Sequence, residues 1–383
     1  MSLRVRCICI FGLWILTALA RAELSPEPIP SVKTLPSDYP DTWIFAHDAN
    51  FQSLVTGKVI VLDVAAETNE YKGMIDAAQM ASFIESKHQP LLYVAESFYD
   101  RSTRGKRTDV VTIYDKSTLA IVGEIPIANN HRAQIVLNKN AMQLIDGDKF
   151  LLVYGFTPAQ SVIVIDTEQR KVVNEISTAG CAMAYPAGKR GFMSLCSDGG
   201  ALAIQIDDSG KEIERNTVAS FFSVDDDPLF DKAVYMDQTA YFVSYLGRVQ
   251  GIDLSGSVPK LLDTWSLVSD EEAEQNWRPG GWQITAADND NNLYVIMHEN
   301  GYNGSHKFGG EQVWVFDTKT QKKISTVSLN KNAFSIEMTN SKQPYLTVTN
   351  VEMGMDIYSA SGEFLKYINV GDAAMPIMLH AVR

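Results

Sequence analysis

The residues best able to carry acid–base or metal chemistry in this chain are its six histidines, His47, His88, His131, His298, His306 and His380. None falls in an H-x-x-x-H or H-E-x-x-H spacing, and no cysteine pair supports a metal site, so the sequence offers no ligand set for metal-assisted chemistry. The nearest approach to a binding pair is His298 and His306, at the two ends of a polar, glycine-rich stretch that reads equally as a long hairpin loop. The absence of C-x-x-C-H sets haem attachment aside.

Two other stretches could bind without catalysing. Residues 101–107 place Arg101, Arg104, Lys106 and Arg107 close together, enough charge to dock an acidic partner or a phosphate. The competing reading is a solvated loop pinned by Asp100 and Asp109. Trp277-Arg278-Pro279-Gly280-Gly281-Trp282 sets two indoles about a glycine turn, a composition suited to the rim of a pocket or interface and also to plain packing.

The elements that must position these residues begin with the compartment. Arg4 and Arg6 precede an apolar run ending in Ala20-Arg21-Ala22, which reads as a secretory signal peptide over 1–22. The run is short for a membrane span, and no later segment offers about 20 uninterrupted apolar residues, so a periplasmic protein without a membrane partner is expected. Removing the leader's three arginines takes the net charge from −13 to −16, which argues against nucleic acid. Cys7 and Cys9 leave with the leader. Cys181 and Cys196 remain, an even pair that reads as a disulfide in an oxidising compartment.

A repeat supplies the fold. Short β-branched strands end in an aliphatic or aromatic residue followed by Asp: Leu62-Asp63, Tyr114-Asp115, Ile165-Asp166, Ile206-Asp207, Ile252-Asp253 and Phe316-Asp317, with Tyr358-Ser359 a degenerate seventh. Each such Asp or Ser can accept from a backbone N–H two residues on and so fix a hairpin turn. Intervals of 41 to 64 residues fit one four-stranded blade per repeat. The expectation is an all-β, seven-bladed β-propeller over 41–383, preceded by an extended proline-rich arm over 23–40. The first blade lacks an innermost strand and residues 375–382 are left over at the end, so pairing of N- and C-terminal strands is expected to close the ring. A helical turn is expected over 271–275.

Taken in order, several stretches resemble the heavy (large) subunit of the tryptophan tryptophylquinone amine dehydrogenases, the methylamine and aromatic-amine dehydrogenase family. They are Asp48-Ala49-Asn50-Phe51, residues 104–115, the Cys181/Cys196 pair, residues 222–228, residues 277–283 and residues 304–308. The resemblance implies a chain that binds no cofactor itself. Its partner would be a light subunit carrying the tryptophylquinone, in an assembly of two heavy and two light chains. A primary amine would be oxidatively deaminated to aldehyde and ammonia, with electrons leaving to a blue-copper protein of azurin or amicyanin type. No catalytic residue is expected in this chain. What the resemblance assigns to it is a phenylalanine beside the substrate channel, at Phe51, with Arg104, Arg107, Trp277, Arg278, Trp282 and His306 as candidates for the interface or channel rim. Residues 222–228, 242–245 and 304–308 are closer to the aromatic-amine type, whereas Arg278 and Trp282 are closer to the methylamine type, with the lean toward arylalkyl amines.

Two readings from other classes compete. A single-chain propeller hydrolase or lactonase would need acids or a metal converging on the central channel. A non-catalytic binding propeller would keep the repeats without a light subunit.

Overall fold

The repeat predicts strands that alternate in direction about short turns, and the computed structural model, which describes residues 34–51, 56–78 and 80–383, consists almost wholly of antiparallel strands. The expected leader and most of the expected arm lie outside the described residues. Residues 35–383 form one compact unit.

The strands make a propeller, each sheet running from an innermost to an outer strand. The second sheet is representative: Ser82–Glu85 lies innermost, followed by Leu91–Arg101, Arg104–Asp115 and Ile121–Ile127. Apolar clusters fill the gaps between neighbours. Phe45, Val59 and Val61 of the first sheet meet Phe83, Leu92 and Val94 of the second, and equivalent clusters recur round the ring. Central strands such as Phe150–Gly155 and Ser161–Asp166 are buried along their whole length, because both faces of each sheet pack against a neighbour.

The expected count of seven separate blades needs correction. Among the described residues the hydrogen bonds draw six sheets: five of four or five strands, and one of eight. The physical reason is one unbroken strand of 17 residues, Lys322–Met338. Its first half pairs with Gly310–Asp317 and its second with Tyr345–Asn350, so the repeats ending at Asp317 and Ser359 share a single sheet. The two halves of that sheet still pack on each other, Val313, Val315 and Val327 against Ile336, Leu346 and Val348.

The ring closes through its ends. Met378–Ala381 pairs antiparallel with Trp43–Asp48, in the register Ile44↔Ala381 to His47↔Met378. Leu379 thereby becomes the buried partner of Ile44, Ile60 and Ile357. The repeat's turns form as their residue types dictate: Asp115 Oδ1 accepts from the N–H groups of Ser117 (3.0 Å) and Thr118 (2.8 Å), and Asp317 Oδ1 from those of Lys319 (2.7 Å) and Thr320 (3.1 Å). The expected helical turn is the short helix Asp270–Glu274, capped by Ser269 with Glu272 returning the bond.

Candidate functional site

Strand alternation sorts every loop to one of two ends of the ring. Turns joining third to outer strands lie at one end, and all the repeat's Asp residues sit there. Loops joining second to third strands, and connections between sheets, lie at the other. That second end carries Phe51, Arg104, Trp277, Arg278, Trp282, His306 and the Cys181/Cys196 pair. Residues scattered through more than 250 positions of sequence thus share one face.

Phe51 follows the strand Trp43–Asp48, and Asp48 fixes its position. The buried Asp48 carboxylate accepts from the backbone N–H of Asn50 at 2.8 Å and of Met375 at 2.7 Å, while the Ala49 N–H donates to the Met375 carbonyl. Asn50 adopts φ 42°, a left-handed conformation that asparagine tolerates, which turns the chain just before Phe51. The half-buried phenyl ring packs in a collar with Val136, Trp282, Phe334, Met353 and Met375 over a floor of Ala49, Leu137, Ile377 and Met378. Six separate stretches of chain contribute to it. Trp282 is tied across the ring by its indole N–H to the Leu137 carbonyl (2.8 Å), and the Lys232 ammonium lies 4.4 Å from its ring centroid. The collar contains no acid or base. It can exclude water, shape an opening and contact an apolar group, but cannot exchange a proton.

Beside the collar lies an aromatic patch. The Gly281 N–H donates to the His306 carbonyl (2.7 Å), and the His306 ring packs 5.3 Å from Tyr245 and 5.9 Å from Phe230. Arg278 lies over Tyr245 at 5.4 Å, and Trp277 stacks on the buried Trp314 at 4.9 Å. His298 is buried, with Nε2 2.7 Å from Ser305 Oγ. Burial lowers the pKa of both histidines, assisted by Arg278 at His298 and by Lys307 at His306. They are therefore neutral ring contacts at pH 7. Among the described residues no group of three or more His, Cys, Asp or Glu is arranged to hold a metal ion.

The basic stretch divides. Arg107 makes a two-pronged pair with Asp109 (2.6 and 2.9 Å) and also donates to the Arg132 carbonyl, so it is structural. Arg104 is exposed at the tip of the hairpin joining Leu91–Arg101 to Arg104–Asp115. Behind Arg107 lies a network that sequence reading missed: the buried Arg132 guanidinium donates to Ser97 Oγ and to the carbonyls of Met80 and Ala133, and Ser97 donates to Asp109. Burial lowers the Arg132 pKa to about 10, leaving it charged. The one available signal was the pair of acids, Glu96 and Asp109, each directly beside an apolar run of its strand, residues 91–95 and 110–111. Cys181 and Cys196 are disulfide-bonded across the start of one strand and the end of the next. Residues 222–228 dock on the fifth sheet, where Asp227 accepts from Ser244 Oγ (2.9 Å) and the Leu246 N–H (2.7 Å).

Comparison with known proteins matches residues 43–378 to the family model of the methylamine dehydrogenase heavy chain (MADH). The chain is 25% identical over 300 residues to the methylamine dehydrogenase heavy chain of Methylophilus methylotrophus, covering 78% of this chain and 73% of that one. It is 26% identical over 300 residues to that of Methylobacillus flagellatus, covering 78% and 74%. Among solved structures it is similar to the Pseudomonas aeruginosa periplasmic gluconolactonase PpgL, with a TM-score of 0.60 at 14% identity over 89% of this chain and 99% of that one. At that identity the likeness concerns the fold alone.

Proposed function

The chain belongs to the methylamine dehydrogenase heavy chain family, and from that premise we propose that it is the scaffolding and gating subunit of a periplasmic quinoprotein amine dehydrogenase. The match over nearly all of the propeller is the observation that carries this reading. The complex turns a primary amine and water into an aldehyde and ammonia, releasing two protons and two electrons. The tryptophylquinone, held by the light subunit, supplies the electron sink for that oxidation. A blue-copper protein takes the electrons, and two heavy chains assemble with two light chains.

This chain's part is positional. Asp48 holds the turn that carries Phe51, and the collar of Trp282, Phe334, Met353 and Met375 fixes the ring from behind. A phenyl group so held narrows the approach to a neighbouring site and contacts the apolar group of an entering amine. An apolar collar also keeps water from the reacting atoms, which strengthens electrostatic interactions there. Arylalkyl amines are the proposed substrates, on the character of residues 222–228, 242–245 and 304–308, with methylamine the rival. Among the described residues the axis shows no metal cluster, and no observation favours a hydrolase reading over this one.

Co-expression with a light subunit from the same genome, followed by purification and an amine-dependent dye-reduction assay, tests the proposal. Reduction by phenethylamine in preference to methylamine is expected. Failure to retain a light chain, or a complex inert to both amines, overturns it.

A further inference from the structure

The second sheet departs from the others at its middle pair of strands. Second and third strands elsewhere in the ring run to between 5 and 8 residues, whereas Leu91–Arg101 has 11 and Arg104–Asp115 has 12. Burial ends at Ser97 and Asp109, which face each other across the ladder, and pairing continues out to Arg101 opposite Arg104. The overshoot of residues 98–101 carries the hairpin about 13 Å past its buried part at the ordinary strand rise. It leaves by the end of the ring that bears Phe51.

The base of this hairpin is fixed and its tip is charged. The Tyr99 hydroxyl donates to Gln134 Oε1 at 2.7 Å, and the Arg107 guanidinium, already paired with Asp109, donates to the Arg132 carbonyl at 2.6 Å. Asp100 is the one acid of residues 98–108, and its carboxylate accepts the Lys106 backbone N–H at 3.0 Å. Arg101, Arg104 and Lys106 are all exposed, and of the four cations in this stretch only Arg107 forms an ion pair among the described residues. Arg101 and Arg104 stand directly opposite each other in the ladder, a like-charge pairing that weakens a hairpin. Folding alone gives no reason for it, whereas an acidic surface laid against the tip does.

On the dehydrogenase reading of the chain, on which this rests, we infer that the hairpin is a docking arm and that it receives an acidic surface of the light subunit. The chain's net charge is −13, so an acidic partner is repelled over most of the propeller and attracted at the tip. That contrast fixes where contact starts and how the partner is turned. A hairpin tip is convex, so it meets a surface and does not cradle a small anion. Its position names the partner: the connection that anchors its base at Arg132 and Gln134 runs on to Val136 and Leu137 of the collar. A subunit seated over Phe51 therefore lies against the arm. Phe98, exposed on the projecting part, adds an aromatic contact of the kind enriched at interfaces. Because the base is held before the partner arrives, little ordering remains to be done on binding.

Competition during assembly provides the test. The full parent chain and a full variant chain, differently tagged, are co-expressed in equal amounts with a limiting light subunit, and the light subunit recovered with each tag is measured. Against Arg101→Gln/Arg104→Gln/Lys106→Gln the parent should capture at least fivefold more. Against Lys171→Gln/Lys211→Gln/Lys319→Gln, the same charge change among exposed residues at the end bearing the Asp turns, sharing should be equal. Arg101→Lys/Arg104→Lys keeps the charge and should also share equally, which separates lost charge from a misfolded hairpin. Equal sharing between the parent and the first variant, the same handicap in both triple variants, or a Lys variant as handicapped as the Gln one overturns the docking arm, while amine-dependent dye reduction by the parent complex keeps the dehydrogenase reading. A parent chain that captures no light subunit overturns both.

Discussion

In the proposed function Phe51 acts by volume, so the expected consequence of Phe51→Ala is a change in discrimination. In the complex, the ratio of kcat/KM for phenethylamine to that for methylamine should move by about tenfold, the scale set by gaining or losing a few methylene-sized contacts. The pH profile should stay where it was, since no proton passes through the ring. An unchanged ratio would remove Phe51 from the channel. His47 carries a different prediction. Burial lowers its pKa to about 3 from an ordinary 6.5, so the folded chain keeps it neutral where the unfolded chain protonates it. Its contribution to stability is therefore complete above pH 6.5 and is lost as pH falls toward 3, at up to ~1.4 kcal/mol per pH unit. Urea titrations from pH 7 to pH 4 should show a shallower decline for His47→Phe than for the parent chain. The sequence made Phe51 legible only through resemblance. The clamp that positions it joins Asp48 to Met375, and a contact across 327 residues leaves no local pattern. Arg132 was hidden for the same reason, its partners lying on strands and loops far from it in sequence.

Among the elements, the turns were the most legible, because an Asp that bonds the next few N–H groups carries its structural reason with it. Hydrogen bonds from Thr118 and Ser117 lower the Asp115 pKa, and those from Thr320 and Lys319 lower that of Asp317. These turns are held fully above the ordinary carboxylate range near pH 4 and loosen as pH falls through the depressed values. The disulfide was legible from count and compartment. Replacing Cys181 and Cys196 together by serine should lower stability by about 3 kcal/mol, the chain-entropy value for a closed loop of this length, read as a reduced urea midpoint. An unchanged midpoint would mean that the strand pairing of Cys181 with Cys196 already does that work. Least legible was the join between the last two repeats. Residues 322–338 contain the polar run Asn330, Lys331 and Asn332, yet the strand continues through them. Local composition marks where a turn is permitted, while pairing on both sides decides whether the strand stops.

At the scale of the molecule, closure was readable because an apolar segment was left without a blade and a blade without a strand. Leu379 is fully buried where these ends meet. Leu379→Asp should open the ring by placing a charge without a partner in that core, and should cost several kcal/mol. Thermal unfolding should lose its single cooperative transition, with the light subunit no longer retained. A sharp single transition in that variant would show that the clasp is dispensable. The division of the loops into two ends was also implicit in the repeat, since alternation alone sends the Asp turns one way and Phe51, Trp282 and His306 the other. What no pattern could show was the collar about Phe51. That depends on side chains from opposite sides of the ring meeting at the axis, Trp282 on Leu137 among them.

The unbroken strand Lys322–Met338 gives the ring a mechanical direction. Where separate sheets meet, only side chains resist slippage, so those seams can part under load without rupturing a backbone ladder. The seam within the eight-stranded sheet cannot. Pulled from its two ends, the molecule would unzip at the clasp and shed its sheets one at a time until only the double sheet remained. That last piece should rupture as a single event with about twice the contour length of the others, a hinge pin around which the rest of the wheel is hung.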